Sequence, residues 1–293
     1  MNETDGTSRP RAQDVRQGLI KRLGRAAPAA PLFSPRPSQA LADIRAAAGC
    51  RVDLVEATGA VEVQAPRGGA TLLIENRLAD MSGGWDRLCT AFKNSLADAS
   101  WHGWNHLKGL GPVRPEDVLF LDLETTGLHS TPVFLIGVMV FEDDSLVVRQ
   151  YFARDYSQER AILSLLADEL PSRRLLVSFN GKSFDVPFVH TRAAATAVSC
   201  RLQMPHCDLL HTSRRIWGAA LPNCRLQTLE TYICRRGARE DDIDGSRIPE
   251  AYHAFVRTGN GAEMALCVKH NRLDLITLAD ILTRLPVARA SRP

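Results

Sequence analysis

The positions of hydrophobic and polar residues divide the chain into alternating strands and helices. Continuous apolar runs, typical of buried strands, cover residues 117–123, 133–141, 146–152 and 175–179, with a shorter run at 206–209. Helices are predicted over residues 158–170, 186–196, 210–217, 226–235 and 264–285. The first three apolar runs follow one another through short turns, so we expect antiparallel neighbours. The pattern predicts an α/β fold with a mixed sheet of about five strands flanked by helices.

We place the main domain at residues 115–285. The residues before it do not follow its alternation of apolar strands and helices. Residues 1–40 are rich in Arg, Pro and Ala, a composition typical of a disordered tail. Residues 286–293 are predicted to form a second tail. Residues 41–114 are predicted to form a small β-containing segment that packs on the main domain. Within it, the pattern predicts strands at 52–55, 61–64 and 70–75 and a helix at 85–96.

Composition narrows the class of protein without deciding it. Of the 293 residues, 45% are hydrophobic and 24% are charged, which is ordinary for a globular protein with a packed core. The net charge of +3 does not by itself indicate nucleic acid. Of the 36 basic residues, 31 are Arg, which suits phosphate contacts but also follows from genome composition, the explanation we favour. The seven Cys residues lack paired spacing, and no signal peptide or long apolar span is visible. We therefore expect a cytoplasmic protein with no membrane contact.

Two carboxylates interrupt the apolar run at 117–123 where it ends. Asp122 and Glu124 are two residues apart, and side chains at that spacing in a strand point to the same face. Two like charges withdrawn from water are unfavourable unless they share a cation. Their oxygen ligands suit Mg²⁺ or Mn²⁺. The alternative is a strand that simply runs out into a solvated turn at 125–127.

Further titratable side chains follow two other predicted elements. Asp185 comes after the strand at 175–179, and Asp274 lies on the last helix, four residues after His270. Two-metal phosphodiester chemistry needs several carboxylates to hold two divalent cations about 3.5–4 Å apart. It also needs a group that takes a proton from water, which His does near neutral pH. Alone, Asp185 would be explained as a helix cap and His270 as a structural histidine, but the combination is more specific.

These residues lie in stretches that resemble the DEDD 3′-5′ exonucleases of the ribonuclease H-like fold. The closer resemblance is to the YprB-type ribonuclease H-like domain family, over about residues 115–285. It is carried by Phe120-Leu-Asp-Leu-Glu-Thr-Thr-Gly127, Asn180-Gly-Lys-Ser-Phe-Asp-Val-Pro-Phe188, Asp208-Leu-Leu-His211, Leu226-x-x-Leu-Glu230, Asp242-Ile-x-Gly245 and His270-Asn-x-x-Asp274. The resemblance implies a ribonuclease H-like mixed sheet and a nuclease that uses two divalent cations, Mg²⁺ or Mn²⁺.

The resemblance also implies a role for each matching residue. Asp122 would bridge both cations, and Asp185 would hold the second of them. Glu124 and Asp274 would hold the cation that activates water, and His270 would be the general base. One departure concerns the His, which in His-type members precedes the last Asp by five residues, whereas the spacing here is four, as in the Tyr-type relatives. On a helix this spacing still keeps both side chains on one face.

Residues near the same strand ends are candidates for binding the substrate. The resemblance implies that Asn180 and Lys182 lie beside the scissile phosphate, and Thr125 lies in the turn after the first strand. Arg214 and Arg215 are candidates for a basic rim along the nucleic-acid backbone. A charge run is more often a solvated or paired face, which is the alternative for these arginines.

Other polar residues receive structural interpretations. Asp208 is predicted to cap the helix at 210–217 rather than to bind metal. Arg239 belongs either to the basic rim or to ion pairs with neighbouring acids such as Glu230 and Asp242. Zinc binding is disfavoured for one group of Cys and His residues, because their spacing fits no compact zinc-ligand pattern. The group is Cys200, His206, Cys207 and His211. A base-stacking surface is the less favoured alternative to burial for Trp101 and Trp104.

The carboxylate pattern indicates metal-dependent phosphodiester chemistry, and the resemblance implies a nuclease, a 3′-5′ exonuclease acting on single-stranded DNA or RNA. The expected partner is a nucleic acid with a single-stranded end, and a helicase or repair protein is a further candidate partner. One alternative is a catalytically weak nucleic-acid-binding module with the same ribonuclease H-like fold. Another is a structural domain that binds protein partners through its first hundred residues.

Overall fold

A computed structural model of the protein describes residues 51–81, 83–97, 110–127, 131–237, 239 and 241–285. The two predicted tails, and the predictions for Trp101 and Trp104, lie outside these residues. Among the helices that the structure describes, none combines the length and the apolar character needed to cross a membrane.

Seven strands within the described residues form one mixed sheet. They are β1 (Val61–Gln64), β2 (Ala70–Arg77), β3 (Val118–Thr125), β4 (Val133–Glu142), β5 (Ser145–Phe152), β6 (Leu175–Ser178) and β7 (His206–Asp208). Their order across the sheet is β1-β2-β5-β4-β3-β6-β7. The pairs from β1 to β3 are antiparallel, and β6 and β7 continue the sheet in parallel with β3. The prediction that the strands now numbered β3, β4 and β5 are antiparallel neighbours is confirmed.

The first two strands extend the sheet beyond the predicted number of about five. Residues 72–77 of β2 pair with residues 147–152 of β5, and β1 pairs with β2. The Thr71 hydroxyl adds a hydrogen bond of 2.7 Å to the carbonyl oxygen of Phe152. The strands predicted at 61–64 and 70–75 therefore exist, but they join the main sheet. The physical reason is the open edge of β5, whose backbone groups need hydrogen-bond partners.

The predicted strand at 52–55 is wrong, because helix α1 (Leu54–Thr58) lies there. The Asp53 carboxylate accepts the backbone N–H groups of Val55 and Glu56 at 2.7 and 3.1 Å. Gly59, with a φ of 68°, ends the helix in the left-handed conformation that favours glycine. A short apolar stretch does not distinguish helix from strand, and here the two caps decide the outcome.

The remaining helices cover both faces of the sheet. They are α2 (Trp85–Ala97), α3 (Glu159–Glu169), α4 (Asp185–Ala195), α5 (Leu209–Trp217), α6 (Leu226–Tyr232), α7 (Ile248–Thr258) and α8 (Ala262–Thr283). Side chains of β3 alternate between two cores, with Leu119 and Leu121 in one and Val118 and Phe120 in the other. Because both faces of β3 are buried, its sequence is a continuous apolar run up to Asp122.

Helix α8 contributes to both cores. Its first turns, represented by Met264 and Val268, pack in the core of Leu119, whereas its last turns, from Leu275 onward, pack in the core of Phe120. Residues 269–274, which are polar except for Leu273, lie between these two apolar parts of the helix. Because α8 contacts β3 and β4, this polar section lies against the end of β3 that carries the two carboxylates.

Candidate active site

The end of β3 has an open side beside Asp122 and Glu124. Strand β6 pairs only with residues 118–120 of β3, whereas β4 pairs with β3 through Thr125. Beyond Phe120, no strand of the described residues pairs with β3 on this side. The two carboxylates are half-buried and share the face of Phe120, as the two-residue spacing predicts.

Asp185 reaches this open side from the first turn of α4. Its carboxylate accepts a hydrogen bond from the backbone N–H of Leu123, which lies between the two carboxylates of β3. Burial raises the pKa of Asp185 to about 7, and the charge of Asp208 adds to the shift. The two backbone N–H groups that it accepts oppose the shift without cancelling it. Asp185 is thus the first helical residue of α4 and not its cap, because the N-cap position is Phe184 and no side chain caps the helix there; instead it borders the carboxylates of β3.

Asp274 completes a cluster of four carboxylates with Asp122, Glu124 and Asp185. Loss of solvent raises the pKa values of Asp122 and Glu124 well above their ordinary range. Repulsion from Asp274, from Asp185 and, for Asp122, from Glu124 raises these pKa values further. Asp185 and Asp274 are therefore close enough to Asp122 and Glu124 to oppose the ionisation of these two carboxylates, which is the electrostatic condition that a bound divalent cation relieves.

His270 lies between two carboxylates. Its Nδ1 is 2.7 Å from Asp242 Oδ1, and its Nε2 is 3.4 Å from Asp274 Oδ2. Burial acts to lower the pKa of His270, but the hydrogen bond to Asp242 and the charges of Asp274 and Asp242 outweigh it and raise the pKa. The four-residue spacing thus does place His270 beside Asp274 on one face of α8.

Asp242 is a site residue that the sequence analysis missed as such. The sequence indicates it only as an ion-pair partner of Arg239, although it opens one of the stretches that carry the family resemblance. Its contact with His270 spans 28 positions of the chain, so no local pattern reveals it. One signal could have pointed to Asp242: it is an acidic residue with no local structural explanation, and it lies in a stretch that carries the family resemblance.

Arg239 supplies positive charge to the same cluster. Its Nη2 is 2.5 Å from Asp274 Oδ1, its Nε is 2.8 Å from Glu230 Oε2, and its side chain is 6% exposed. Nη1 lies 3.6 Å from Asp242. Of the two interpretations of Arg239, ion pairing therefore holds. Both carboxylate oxygens of Asp274 face protein partners, Oδ1 facing Arg239 and Oδ2 facing His270. Within the described residues, no three His, Cys, Asp or Glu side chains already converge as metal ligands.

Asn180 and Lys182 belong to a loop that is fixed by the buried Asp208 carboxylate. The backbone N–H groups of Asn180 and Lys182 donate to Asp208 at 2.9 and 3.1 Å. The same carboxylate accepts the N–H of Leu210 at 3.0 Å, so the predicted cap of α5 is confirmed. Asn180 adopts a φ of 64°, and the Lys182 side chain is exposed.

Replacing Asp208 by Asn is expected to lower the free energy of unfolding by about 1–3 kcal/mol. The amide keeps the shape of the carboxylate, but it loses one acceptor and the charge in a 1% exposed position. Urea denaturation measures the loss. Asp244→Asn is the matched control, because Asp244 makes a similar cap in an exposed position and Asn caps about as well as Asp. Equal stabilities of the two variants would contradict the expectation.

The other candidate substrate residues lie farther from the carboxylates or are already bonded. The Thr125 hydroxyl donates to the carbonyl oxygen of Gly127 at 2.7 Å within the turn. Arg214 and Arg215 are exposed in the last turn of α5. Arg214 is six residues after Asp208, which corresponds to about 9 Å along a helix axis.

The donor set suits divalent cations that prefer oxygen. Asp122, Glu124, Asp185 and Asp274 offer carboxylate oxygens from one strand and two helices, and hard ligands of this kind suit Mg²⁺ or Mn²⁺. Ligand deprotonation accompanies metal binding, so raised pKa values would fall when a cation enters. Loading would also require Asp274 to release Arg239 or to bind through its other oxygen.

The sheet order and the carboxylates at the end of β3 define a ribonuclease H-like domain, which is a nuclease-type fold. Residues 119–286 match the RNase_H_2 family model, described as RNase_H superfamily, and the chain belongs to this superfamily. It is 29% identical over 187 residues to a Bacillus subtilis (strain 168) protein named "Uncharacterized protein YprB". That similarity covers 61% of this chain and 44% of the relative, so the chain spans less than half of the relative's length. The domain is of the YprB type.

A solved structure shows a weaker similarity. The family B DNA polymerase from the hyperthermophilic archaeon Pyrobaculum calidifontis superposes with a TM-score of 0.44 at 16% sequence identity. The superposition covers 56% of this chain and 24% of the polymerase chain. At this level the similarity carries no functional information.

Proposed function

We propose that the protein is a metal-dependent nuclease, a 3′-5′ exonuclease that hydrolyses single-stranded DNA or RNA. The observation that carries the proposal is the cluster of Asp122, Glu124, Asp185 and Asp274, with His270 beside the last of them. Carboxylates placed so that their charges oppose the ionisation of Asp122 and Glu124 are costly for a fold without a compensating ligand. Two Mg²⁺ or Mn²⁺ ions would compensate them and serve phosphodiester hydrolysis.

In the proposed mechanism each residue of the cluster has a defined task. Asp122, whose ionisation the other three carboxylates all oppose, would bind both cations. Glu124 and Asp274 would bind one of them, and Asp185 the other. When bound, the cations supply a more acidic water and positive charge for the leaving oxygen. Water attacks the terminal phosphorus in line, the bond from phosphorus to the 3′-oxygen breaks, and a nucleoside 5′-monophosphate leaves.

His270 is proposed to accept the proton of the attacking water at Nε2. Asp242, at 2.7 Å from Nδ1, holds the ring in one orientation and stabilises its protonated form. This arrangement is that of a general base with an orienting carboxylate. The base therefore keeps its function at a four-residue spacing because Asp242 fixes the ring from the opposite side.

The substrate strand is proposed to approach along the loop that follows β6. Lys182 is exposed next to the fixed backbone of Asn180, in a position to meet phosphate. Arg214 and Arg215 are proposed to contact the backbone further along the strand, and Thr125 to support the turn beside it. The partner is thus a nucleic acid with a single-stranded end, and a helicase or repair protein would supply such an end.

A second candidate function is a nucleic-acid-binding module with little hydrolytic activity. The observation that favours it is the 2.5 Å contact between Arg239 and Asp274. An arginine in this position compensates part of the carboxylate charge without a metal. If this contact persists in the presence of Mg²⁺ or Mn²⁺, the cluster would hold fewer cations than hydrolysis needs.

The test is a cleavage assay on single-stranded DNA and RNA of the same sequence, labelled at the 5′ end or at the 3′ end. Mn²⁺, Mg²⁺ and EDTA are compared at equal ionic strength, because binding to nucleic acid depends on salt. We expect a ladder of shortened 5′-labelled products and early release of the 3′ label, with both lost in EDTA. Binding without cleavage in either metal would favour the binding module instead. Products from cuts inside the strand would contradict stepwise cleavage from the 3′ end.

A further inference from the structure

We propose that Asn271 is a positioning residue that fixes the carboxylate of Asp122 for cation binding, and that Gln150 fixes Asn271. The inference rests on the proposed function, because it concerns the same carboxylate. Asn271 follows His270 on α8, and both Asn271 and Gln150 are 0% exposed. Their amides can therefore find hydrogen-bond partners only inside the protein, where Gln150 Oε1 is left without one.

The geometry begins with a row of three residues across the sheet. Asp122 of β3 lies opposite Gly137 of β4, which lies opposite Gln150 of β5. Gly137 has no side chain, so the row has a gap between Asp122 and Gln150. The Asn271 amide from α8 occupies this gap, and a Cβ at position 137 would lie 2.1 Å from Asn271 Oδ1. Any side chain at position 137 would therefore exclude the amide.

The hydrogen bonds across this gap run in one direction. Gln150 Nε2 donates to Asn271 Oδ1 at 2.8 Å and to the carbonyl oxygen of Val268 at 2.8 Å. Asn271 Nδ2 then donates to Asp122 Oδ2 at 2.7 Å and to the carbonyl oxygen of Asp122 at 3.2 Å. A reversed Asn271 amide would place oxygen against the carboxylate and nitrogen against Gln150 Nε2. The partners thus determine the orientation of both amides.

Asn271 holds Oδ2 of Asp122 by a hydrogen bond and leaves Oδ1 available to bind a cation. Asn271 binds both the carboxylate and the backbone of the same residue, so it fixes the side chain relative to β3. An unsupported carboxylate among three others would rotate away from them, because their charges repel it. The amide offers a donor without adding charge, so it stabilises Asp122 while leaving the site open to cations. Partners of metal ligands commonly have this role.

The experiment measures Mn²⁺ binding directly, by the electron paramagnetic resonance signal of free Mn²⁺, with no nucleic acid present. Asn271→Leu keeps the branched shape of the side chain and removes its amide, and we expect its Mn²⁺ affinity to fall by about 10–100-fold. Gln150→Met removes only the group that orients Asn271, so we expect a smaller loss in the same direction. In cleavage assays at saturating Mn²⁺, kcat should fall while KM for the strand stays unchanged.

Two controls separate this role from a general loss of structure. Ser164→Ala removes a buried polar group elsewhere, the α3 hydroxyl that bonds to the backbone of Arg67, and should leave Mn²⁺ affinity unchanged. Circular dichroism and thermal unfolding report whether each variant folds. If Asn271→Leu does not fold, Asn271→Ser and Gln150→Met take its place in the same measurement.

The outcomes distinguish failure of this inference from failure of the proposed function. Mn²⁺ binding that Asp122→Asn weakens but the folded variants at 271 and 150 do not would overturn the positioning role and leave the nuclease proposal standing. Mn²⁺ binding that Asp122→Asn does not weaken would overturn both. A loss in the Asn271 and Gln150 variants, without a loss in Ser164→Ala, supports the inference.

Discussion

Asp122→Asn should abolish metal-dependent cleavage while leaving the fold intact. Removing a partner of a metal ligand commonly lowers activity by about 10–100-fold, so removing a central ligand should lower kcat by more than this. The Asn side chain can still accept the hydrogen bond that Asn271 now donates at 2.7 Å. End-labelled single strands in Mn²⁺, compared over time for both proteins, measure the change.

The charge of Asp122 provides an independent measurement on the same variant. Burial and the neighbouring carboxylates raise the pKa of Asp122, so its ionised form is unfavourable when no cation is bound. Asn removes that charge, and the stability to urea in EDTA at neutral pH should therefore stay equal or increase. Asp168→Asn, on the exposed face of α3, is the matched control for activity and stability. Full cleavage by Asp122→Asn would contradict the assignment of the cluster, and lost cleavage with a large loss of stability would point to a structural role.

Arg236→Met should cause the largest loss of stability, about 3–5 kcal/mol, because it breaks a buried ion-pair network. The Arg236 guanidinium lies 2.7 Å from Glu230 and 3.7 Å from Asp280, and it donates to Thr277 at 2.6 Å. All four residues are at most 4% exposed. Met fills a similar volume but leaves two buried carboxylates with less compensating charge. Urea denaturation followed by circular dichroism measures the difference.

Arg257→Met is the matched control, because Arg257 is exposed near the end of α7. Substitutions at such positions usually change stability by no more than about 0.5 kcal/mol. Arg239 also contacts Glu230, and Arg284 also contacts Asp280. A loss below about 1 kcal/mol for Arg236→Met would mean that these two arginines compensate the carboxylates on their own.

The site could be predicted where its residues follow a local pattern. The alternation along β3 predicts that Asp122 and Glu124 share a face, and helical spacing predicts that His270 and Asp274 do. Both statements depend on backbone periodicity alone. That these two pairs meet came from the family resemblance, because no pattern within either element states which strand end a distant helix contacts.

The contacts that could not be predicted join positions far apart in the chain. Arg239 bonds to Asp274 across 35 positions, and Gln150 bonds to Asn271 across 121. A charged residue in a loop and a Gln in an apolar strand each have several possible partners, and only the fold selects one. The same reason explains why the predicted number of strands in the sheet was too low. Strand β2 pairs with the edge of β5, which lies about 75 positions away in the chain.

The addition of β1 and β2 to the sheet makes the cooperative unit longer than the stretch that matches the family model. The matched stretch begins at residue 119, but β5 receives its outer partner from residues 72–77. Phe92 of α2 packs against Phe120 and Phe141 with ring centroids 5.5 and 5.8 Å apart. A fragment cut at the family boundary would expose an unpaired strand edge and an aromatic surface, two features that promote self-association. Minimal expression boundaries should therefore include α1 and everything after it.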